Sequence, residues 1–263
     1  MSTQAAHNAE ILDQFTKQAV PFSKLATQHE ELLLEFSGVI ADDNVLDVAC
    51  GPGIVACAFA TRAKHVTGID LTPAMLEQAR KRQQKFQLEN LTWQLGDVLP
   101  LPFADDTFSM VITRYTFHHF LDPLAVCKEM LRVCKTGGTV MVVDGTPPQE
   151  KEVAYNFVEK LKDPSHVRAM LEAELLDVVK TAGLQQIKTQ RYPFEVEFEA
   201  SMKSFFPNPG DAEKIRQLFH ADVGKNELGL DVHRKGDALH YVYPVLIVVG
   251  KKQSELGNVE ELV

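Results

Sequence analysis

The sequence predicts an α/β protein whose sheet is mainly parallel and carries helices on both faces. Two observations carry this. Between Asn44 and Asp144, short β-branched runs alternate with segments whose apolar residues recur at helical spacing, the pattern of strands joined by crossover helices. The alternation also opens with an apolar strand, Val45 to Ala49, that runs into a glycine-containing turn and then a helix from Ile54. Right-handed crossovers follow from that connectivity.

The elements justify this in order. Residues 8–37 read as two helices, with Ile11, Leu12 and Phe15 and then Leu32, Leu33 and Phe36 at helical spacing, Pro21 separating them and Gly38 as a stop. Strands are read at 45–49, 66–70, 92–96, 108–113 and 139–143, and helices at 54–63, 73–88 and 123–134. Thr72 serves as N-cap and Pro73 as first helical residue of the second of these helices. Gly137-Gly138 reads as the stop of the third. Beyond Asp144 come helices at 150–161, 171–182 and 211–222, with a break at Asp163-Pro164-Ser165, and strands at 185–192 and 241–249. Pro244 inside the last strand points to the sheet's margin, and the residues after Lys251 read as a frayed tail. The expected organisation is one domain over 1–263. It has a helical cover at 1–40, a ligand-binding core at 41–145, a lid and variable region at 146–240, and the last strand at 241–250.

Composition narrows the function. The chain has 263 residues and a net charge of −9, and its one Lys/Arg cluster, Arg80-Lys81-Arg82, reads as a solvated helix face. A nucleic acid partner is not expected. The four cysteines, Cys50, Cys57, Cys127 and Cys134, form no CxxC pair and read as small apolar fillers of a reducing compartment. No basic-then-apolar leader and no run near the ~18 apolar residues of a membrane span is present. The expectation is a cytoplasmic monomer or homodimer that does not engage a membrane. There is no HExxH, Cys/His cluster or EF-hand pattern, so no metal is expected.

The strongest signal is Val45-Leu46-Asp47-Val48-Ala49-Cys50-Gly51-Pro52-Gly53. Gly51 and Gly53 let backbone approach a ligand where a Cβ would collide, outside the carboxyl end of the first strand. Asp70 ends the next strand about 20 residues on, where a carboxylate accepts from a ribose diol. Asp97 ends the third strand, placed to accept from a purine's exocyclic amine, with the Val98 N–H as donor to a ring nitrogen. Asp47 can pair with a cationic amino group. Three carboxylates and no Lys/Arg cradle for a pyrophosphate favour a cationic nucleoside, S-adenosylmethionine, over a dinucleotide. NAD stays open as an alternative because Gly51-x-Gly53-x-x-Ala56 nearly matches the dinucleotide fingerprint.

VLDVACGPG, the acidic end of VTGID, GDVLPLPFADDTF and FHHFLDPLAVCKEMLRVCKTGGTVMVVD together resemble the class I S-adenosylmethionine-dependent methyltransferases, and most the group with the ubiquinone/menaquinone-biosynthesis C-methyltransferases. The resemblance covers roughly residues 40–145. It implies a Rossmann-like, seven-stranded sheet whose last strand is antiparallel. It also implies that Asp47, Ala49 and Gly51 to Gly53 flank the methionine part, that Asp70 holds the ribose, that Asp97 and Val98 hold the adenine, and that Leu71 and Met75 pack on the adenosine. S-adenosylhomocysteine would be the product.

Methyl transfer is an in-line displacement at a sulfonium carbon, so the protein must orient the acceptor and can add a base. Candidates follow the fourth strand: His118 first, then His119, with Tyr115 weaker and Arg114 as a contact for the cofactor carboxylate or a substrate anion. Tyr155, His166 and Arg168 lie in an expected lid, His166 and Arg168 being placed for an anionic or phenolic group. Phe15 to Phe22 is a second segment that can close over the cofactor. Asp105-Asp106 reads as a turn. Phe157, Phe194, Phe198, Phe205 and Phe206 in the variable region point to a small apolar or aromatic acceptor methylated on oxygen or carbon. The alternatives are a cofactor-binding enzyme of the same fold that does not methylate, an NAD-dependent oxidoreductase, and a protein-directed methyltransferase.

Overall fold

A computed structural model describes residues 3–23 and 29–253. Helices α1 (Thr3–Ser23) and α2 (Glu30–Ser37) precede the alternating part: β1 (Asn44–Val48), α3 (Ile54–Phe59), β2 (His65–Asp70), α4 (Pro73–Lys85), β3 (Leu91–Leu95), β4 (Phe108–Arg114), α5 (Pro123–Val133) and β5 (Cys134–Gly145). Then come α6 (Glu152–Lys162), α7 (Glu172–Ala182), β6 (Leu184–Glu197), α8 (Phe198–Met202), α9 (Asp211–Asp222), β7 (His233–Lys235) and β8 (Ala238–Lys252).

The strands form one sheet in the order β3-β2-β1-β4-β5-β8-β6, with short β7 paired to β8. β1 to β5 are parallel, and β8 runs antiparallel between β5 and β6. Central parallel strands must be covered on both faces, and β1 accordingly buries Val45, Leu46, Asp47 and Val48. One core packs Leu46, Val48, Val111 and Val142 under α5 and α7. Val45, Ile112, Met141 and Ile247 face α2 and α3 in the other. A third cluster gathers α6, α8 and α9 on the start of β8 around Tyr155, Phe198, Phe219 and Tyr241. Strand order reverses between β1 and β4, which opens a crevice at their carboxyl ends.

Several expectations need correction. Pro21 does not separate two helices: α1 runs through it to Ser23, and in the last turn it costs one intrahelical N–H bond. α5 stops at Val133, before Gly137-Gly138, because Cys134 is already extended and pairs with Phe108. Gly138 serves a close approach instead, since a Cβ there would lie 2.7 Å from Cys134 Sγ. Pro244 does not mark the margin: β8 is interior, Pro244 stands opposite Pro193, and pairing with β5 has ended at Val245. Thr72 occupies the N-cap position of α4 but its hydroxyl makes no cap. The tail expected after Lys251 lies outside the described residues from position 254 on. Among the described residues no helix is long and apolar enough to cross a membrane.

Candidate active site

The carboxyl ends of β1, β2, β4 and β5 and the cover of α1 and α6 enclose one cavity of about 310 Å³. On its β1–β2 side, backbone geometry is set by the turn after Val48. Ala49, Gly51 and Gly53 all have positive φ, of 54°, 52° and 74°. A Cβ on Gly53 would sit 2.7 Å from Trp93, whereas one on Gly51 would meet nothing within 4 Å. Gly51 lines the cavity, and its lack of a Cβ keeps that space open. Asp70 ties the two loops together, its Oδ2 accepting the Gly51 N–H and its Oδ1 the Thr72 N–H, each at 2.8 Å. Burial raises its pKa, partly offset by those bonds.

Asp47 is 2% exposed, and its Oδ2 has no partner among the described residues. Burial pushes its pKa up to about 7, with Arg114 pulling the other way. A buried carboxylate with one oxygen left unpartnered beside a cavity fits a cationic ligand group. Asp97 accepts from its own Val98 N–H at 2.6 Å and from Asn8 Nδ2 of α1 at 2.6 Å. Leu71, Met75 and Arg114 complete this side.

Across the cavity, β4 ends in a short 3-10 turn, Phe117–His119. His118 Nδ1 lies 2.7 Å from Asp144 Oδ1, and its backbone N–H donates to Asp144 Oδ2 at 3.0 Å. Burial depresses the imidazole's basicity, but the charge and hydrogen bond of Asp144 outweigh it, and the net shift is upward. With Nδ1–H given to Asp144, Nε2 carries the lone pair, and no described residue bonds it. A neutral imidazole so held can take a proton from a group in the cavity. The Tyr155 hydroxyl packs on Gly145, where a Cβ would lie 2.7 Å from it. Glu159, Tyr241, Tyr243, Phe194 and Phe205 wall the far end.

Residues 46–142 match the family described as Methyltransferase domain. The uncharacterized methyltransferase YcgJ of Bacillus subtilis (strain 168) is 28% identical over 249 residues, 89% of this chain and 98% of that protein. The chain belongs to the class I S-adenosylmethionine-dependent methyltransferases. The crystal structure of YcgJ superposes with a TM-score of 0.77 at 25% identity over 86% of this chain and 98% of that one. A putative methyltransferase from Bacillus halodurans gives 0.77 at 26% identity, covering 86% and 99%. The ubiquinone/menaquinone biosynthesis C-methyltransferase UbiE of Desulfotalea psychrophila is 39% identical over 117 residues, 44% of this chain and 46% of that protein. That likeness spans less than half of the relative's length.

In this methyltransferase the structure brings Asp47, Ala49, Gly51, Asp70, Leu71, Met75, Asp97, Val98, Arg114, Tyr115, His118, His119, Tyr155 and His166 onto one cavity. Gly53 shapes it from behind, against Trp93 and Ala79. Some expected chemistry does not survive. The Val98 N–H is spent on Asp97, so it is not presented to a ring nitrogen. His119 is 5% exposed and its Nδ1 faces the Ser165 carbonyl; burial and His118 lower its pKa to about 4, leaving a poor base. Tyr115 bonds Tyr192 at 2.8 Å, and burial holds its pKa well above the usual phenol value. His166 Nε2 is bonded to Asn156 and its pKa is driven down by burial and by His118. Arg168 lies outside the cavity, joined to Glu152 and Glu174 as a clasp between α6 and α7. The pair expected for an anionic acceptor is therefore absent. Phe194 and Phe205 line the cavity, while Phe198 is core and Phe157 is exposed.

Sequence reasoning missed Asp144, Asn8, Glu159 and Lys162. Asp144 had a signal: like Asp70, it is an acidic residue at the carboxyl end of a strand.

Proposed function

We propose that this protein transfers a methyl group from S-adenosylmethionine to a small apolar or aromatic acceptor, on oxygen or carbon, with His118 as the base. The observation that carries the reading is the His118–Asp144 pair facing the same cavity as the unpartnered Oδ2 of Asp47. S-adenosylmethionine, when bound, supplies a methyl group already activated on a sulfonium.

The chain's residues then divide the work. Asp47 pairs with the amino group of the methionine part, and the turn from Gly51 to Gly53 gives it room. Each Asp70 oxygen keeps a lone pair beyond its backbone bond for a ribose hydroxyl. Asp97 Oδ2 likewise retains capacity beside Asn8 for the adenine amine. Leu71 and Met75 would pack on the adenosine, and Arg114, which lines the cavity and pairs with Glu30 at 3.6 Å, would offer its charge to the cofactor's carboxylate. Tyr155 keeps its proton, because burial raises its pKa well above 10.0, so it serves as a hydrogen-bond donor to the acceptor. His118 Nε2 takes the proton that the acceptor's oxygen or carbon gives up, and Asp144 steadies the imidazolium that forms. Aromatic walls at Phe194, Tyr243 and Phe205 exclude water and orient the acceptor. Orientation contributes up to ~7–11 kcal/mol in ideal cases and a base about 10²–10⁴-fold.

Incubation with tritiated S-adenosylmethionine and small-molecule extract tests this. Label should move to an organic-extractable product, and His118→Ala should slow the transfer by about 10²-fold or more. Binding of S-adenosylhomocysteine with no label ever transferred would sink the proposal.

A further inference from the structure

The acceptor side of the cavity holds several carboxylates, and each is matched within the protein. Asp144 is engaged by His118 and by the Gly145 N–H. Asp163 accepts from Gln18 and from the Ser165 N–H and hydroxyl. Glu159 accepts from Lys162 Nζ at 2.8 Å. On the opposite side Asp47 keeps its unpartnered Oδ2. A buried carboxylate without compensation invites a cation. Of the carboxylates lining the cavity, Asp47 keeps a buried oxygen with no partner among the described residues, where the methyl donor would sit, while Glu159 already holds an ammonium, where the acceptor would sit.

Lys162 supplies that ammonium. The residue is 0% exposed and stands behind Glu159, Tyr241, Tyr243 and Phe205, which line the cavity. An ammonium has three hydrogens, and here three oxygens meet them: Glu159 Oε1, the Tyr243 hydroxyl and, at 3.4 Å, the Tyr241 hydroxyl. The Phe205 ring centre is 4.7 Å from Nζ and that of Phe219 is 5.7 Å. Aromatic rings with a carboxylate are the surroundings that recognise an ammonium ion, and the chain's own side chain fills them. Well-packed apolar residues in place of a buried ion pair are often as stable or more so. A buried ion pair is thus weak evidence of a stabilising role, and this one's place in a chamber wall suits recognition.

We propose that Lys162 sets the charge class of the acceptor. By filling this cage and neutralising Glu159, it closes the chamber to alkylammonium acceptors and leaves it open to neutral ones. A neutral polar group meets the Tyr243 hydroxyl, which donates to Glu159 Oε2 at 3.3 Å. The inference rests on the cavity being the acceptor site of a methyltransferase, as proposed above.

Three probes of one shape test it on the full chain by calorimetry with S-adenosylhomocysteine present: benzyl alcohol, benzylammonium and benzoate. The natural protein should bind benzyl alcohol at least tenfold more tightly than either ion. Lys162→Met should raise the affinity for benzylammonium relative to benzyl alcohol at least tenfold. Glu159→Gln should do the same for benzoate. A side chain that only supports the fold would shift all three probes together. Equal binding of benzylammonium and benzyl alcohol by the natural protein, or binding of none of the three, overturns the proposal. So does an unchanged order in Lys162→Met, or, if that variant does not fold, in Glu159→Gln. Titration of S-adenosylhomocysteine in the same samples reads the methyltransferase assignment separately.

Discussion

Asp144 grips His118 at two points, its Oδ1 2.7 Å from the ring Nδ1 and its Oδ2 accepting the backbone N–H at 3.0 Å. The second contact fixes where the ring starts and the first fixes how it turns, so Nε2 is aimed rather than free to rotate. The carboxylate also raises the imidazole pKa against the pull of burial. An NMR titration should therefore place the His118 midpoint above 6.5, with the signal assigned by its loss in His118→Ala. In Asp144→Asn, burial is opposed only by the smaller effects of Glu159 and Asp163, and the midpoint should fall. Activity should rise with pH as His118 loses its proton. An identical midpoint in the two proteins would remove Asp144 from the account.

Asp70 holds both halves of the cofactor-side backbone through Gly51 and Thr72. Asp70→Ala should weaken S-adenosylhomocysteine binding at least tenfold, consistent with losing charge-assisted bonds of ~1.5–3 kcal/mol. Calorimetry checks this, with circular dichroism to show that the variant is folded.

Asp47 has a folded pKa raised from 3.8 to about 7 by burial. The native state binds this proton more tightly than the unfolded chain does. Its stabilising effect is full below pH 3.8 and is lost as pH rises through 7. The ligand-free protein should lose up to about 4 kcal/mol over that window relative to Asp47→Asn. Denaturant melts at several pH values measure the difference, and parallel curves would contradict the buried, unpartnered carboxylate.

Gly145 and Tyr155 are packed so closely that a Cβ on the glycine would lie 2.7 Å from the Tyr155 hydroxyl. Gly145→Ala should cost about 1–3 kcal/mol, the usual range for overpacking. Adding Tyr155→Phe should recover much of that loss. A thermal-melt double-mutant cycle with no coupling would place the hydroxyl elsewhere.

Asn8 latches α1 to Asp97, and Gln18 ties the same helix to Asp163. A cover of this kind must open for exchange. Asn8→Ala should speed S-adenosylhomocysteine dissociation severalfold in stopped flow, and an unchanged rate would show that α1 does not gate that end.

The alternating strands, the glycine turn and the acidic strand ends were legible because they are local patterns. Val45 to Gly53 carries in nine residues both the strand and the reason for its turn. The interior place of β8 was not legible, since Pro244 is tolerated through its partner Pro193, which is far away in sequence. Asn8 was invisible for the same reason: its meaning depends on α1 docking near Asp97. Glu159 and Lys162, three apart on α6, carry no local signal, because only contacts with Tyr241 and Tyr243 of β8 enclose the ammonium. Of the two adjacent histidines, sequence could rank His118 first but gave no reason as strong as Asp144.

The central claim is that the crevice beside Asp47, Asp70 and Asp97 takes S-adenosylmethionine. Titration of the full chain with S-adenosylhomocysteine and, separately, NADH tests it most directly. We expect S-adenosylhomocysteine to bind at micromolar concentration and NADH not to bind. Binding of NADH with none of S-adenosylhomocysteine would contradict the account.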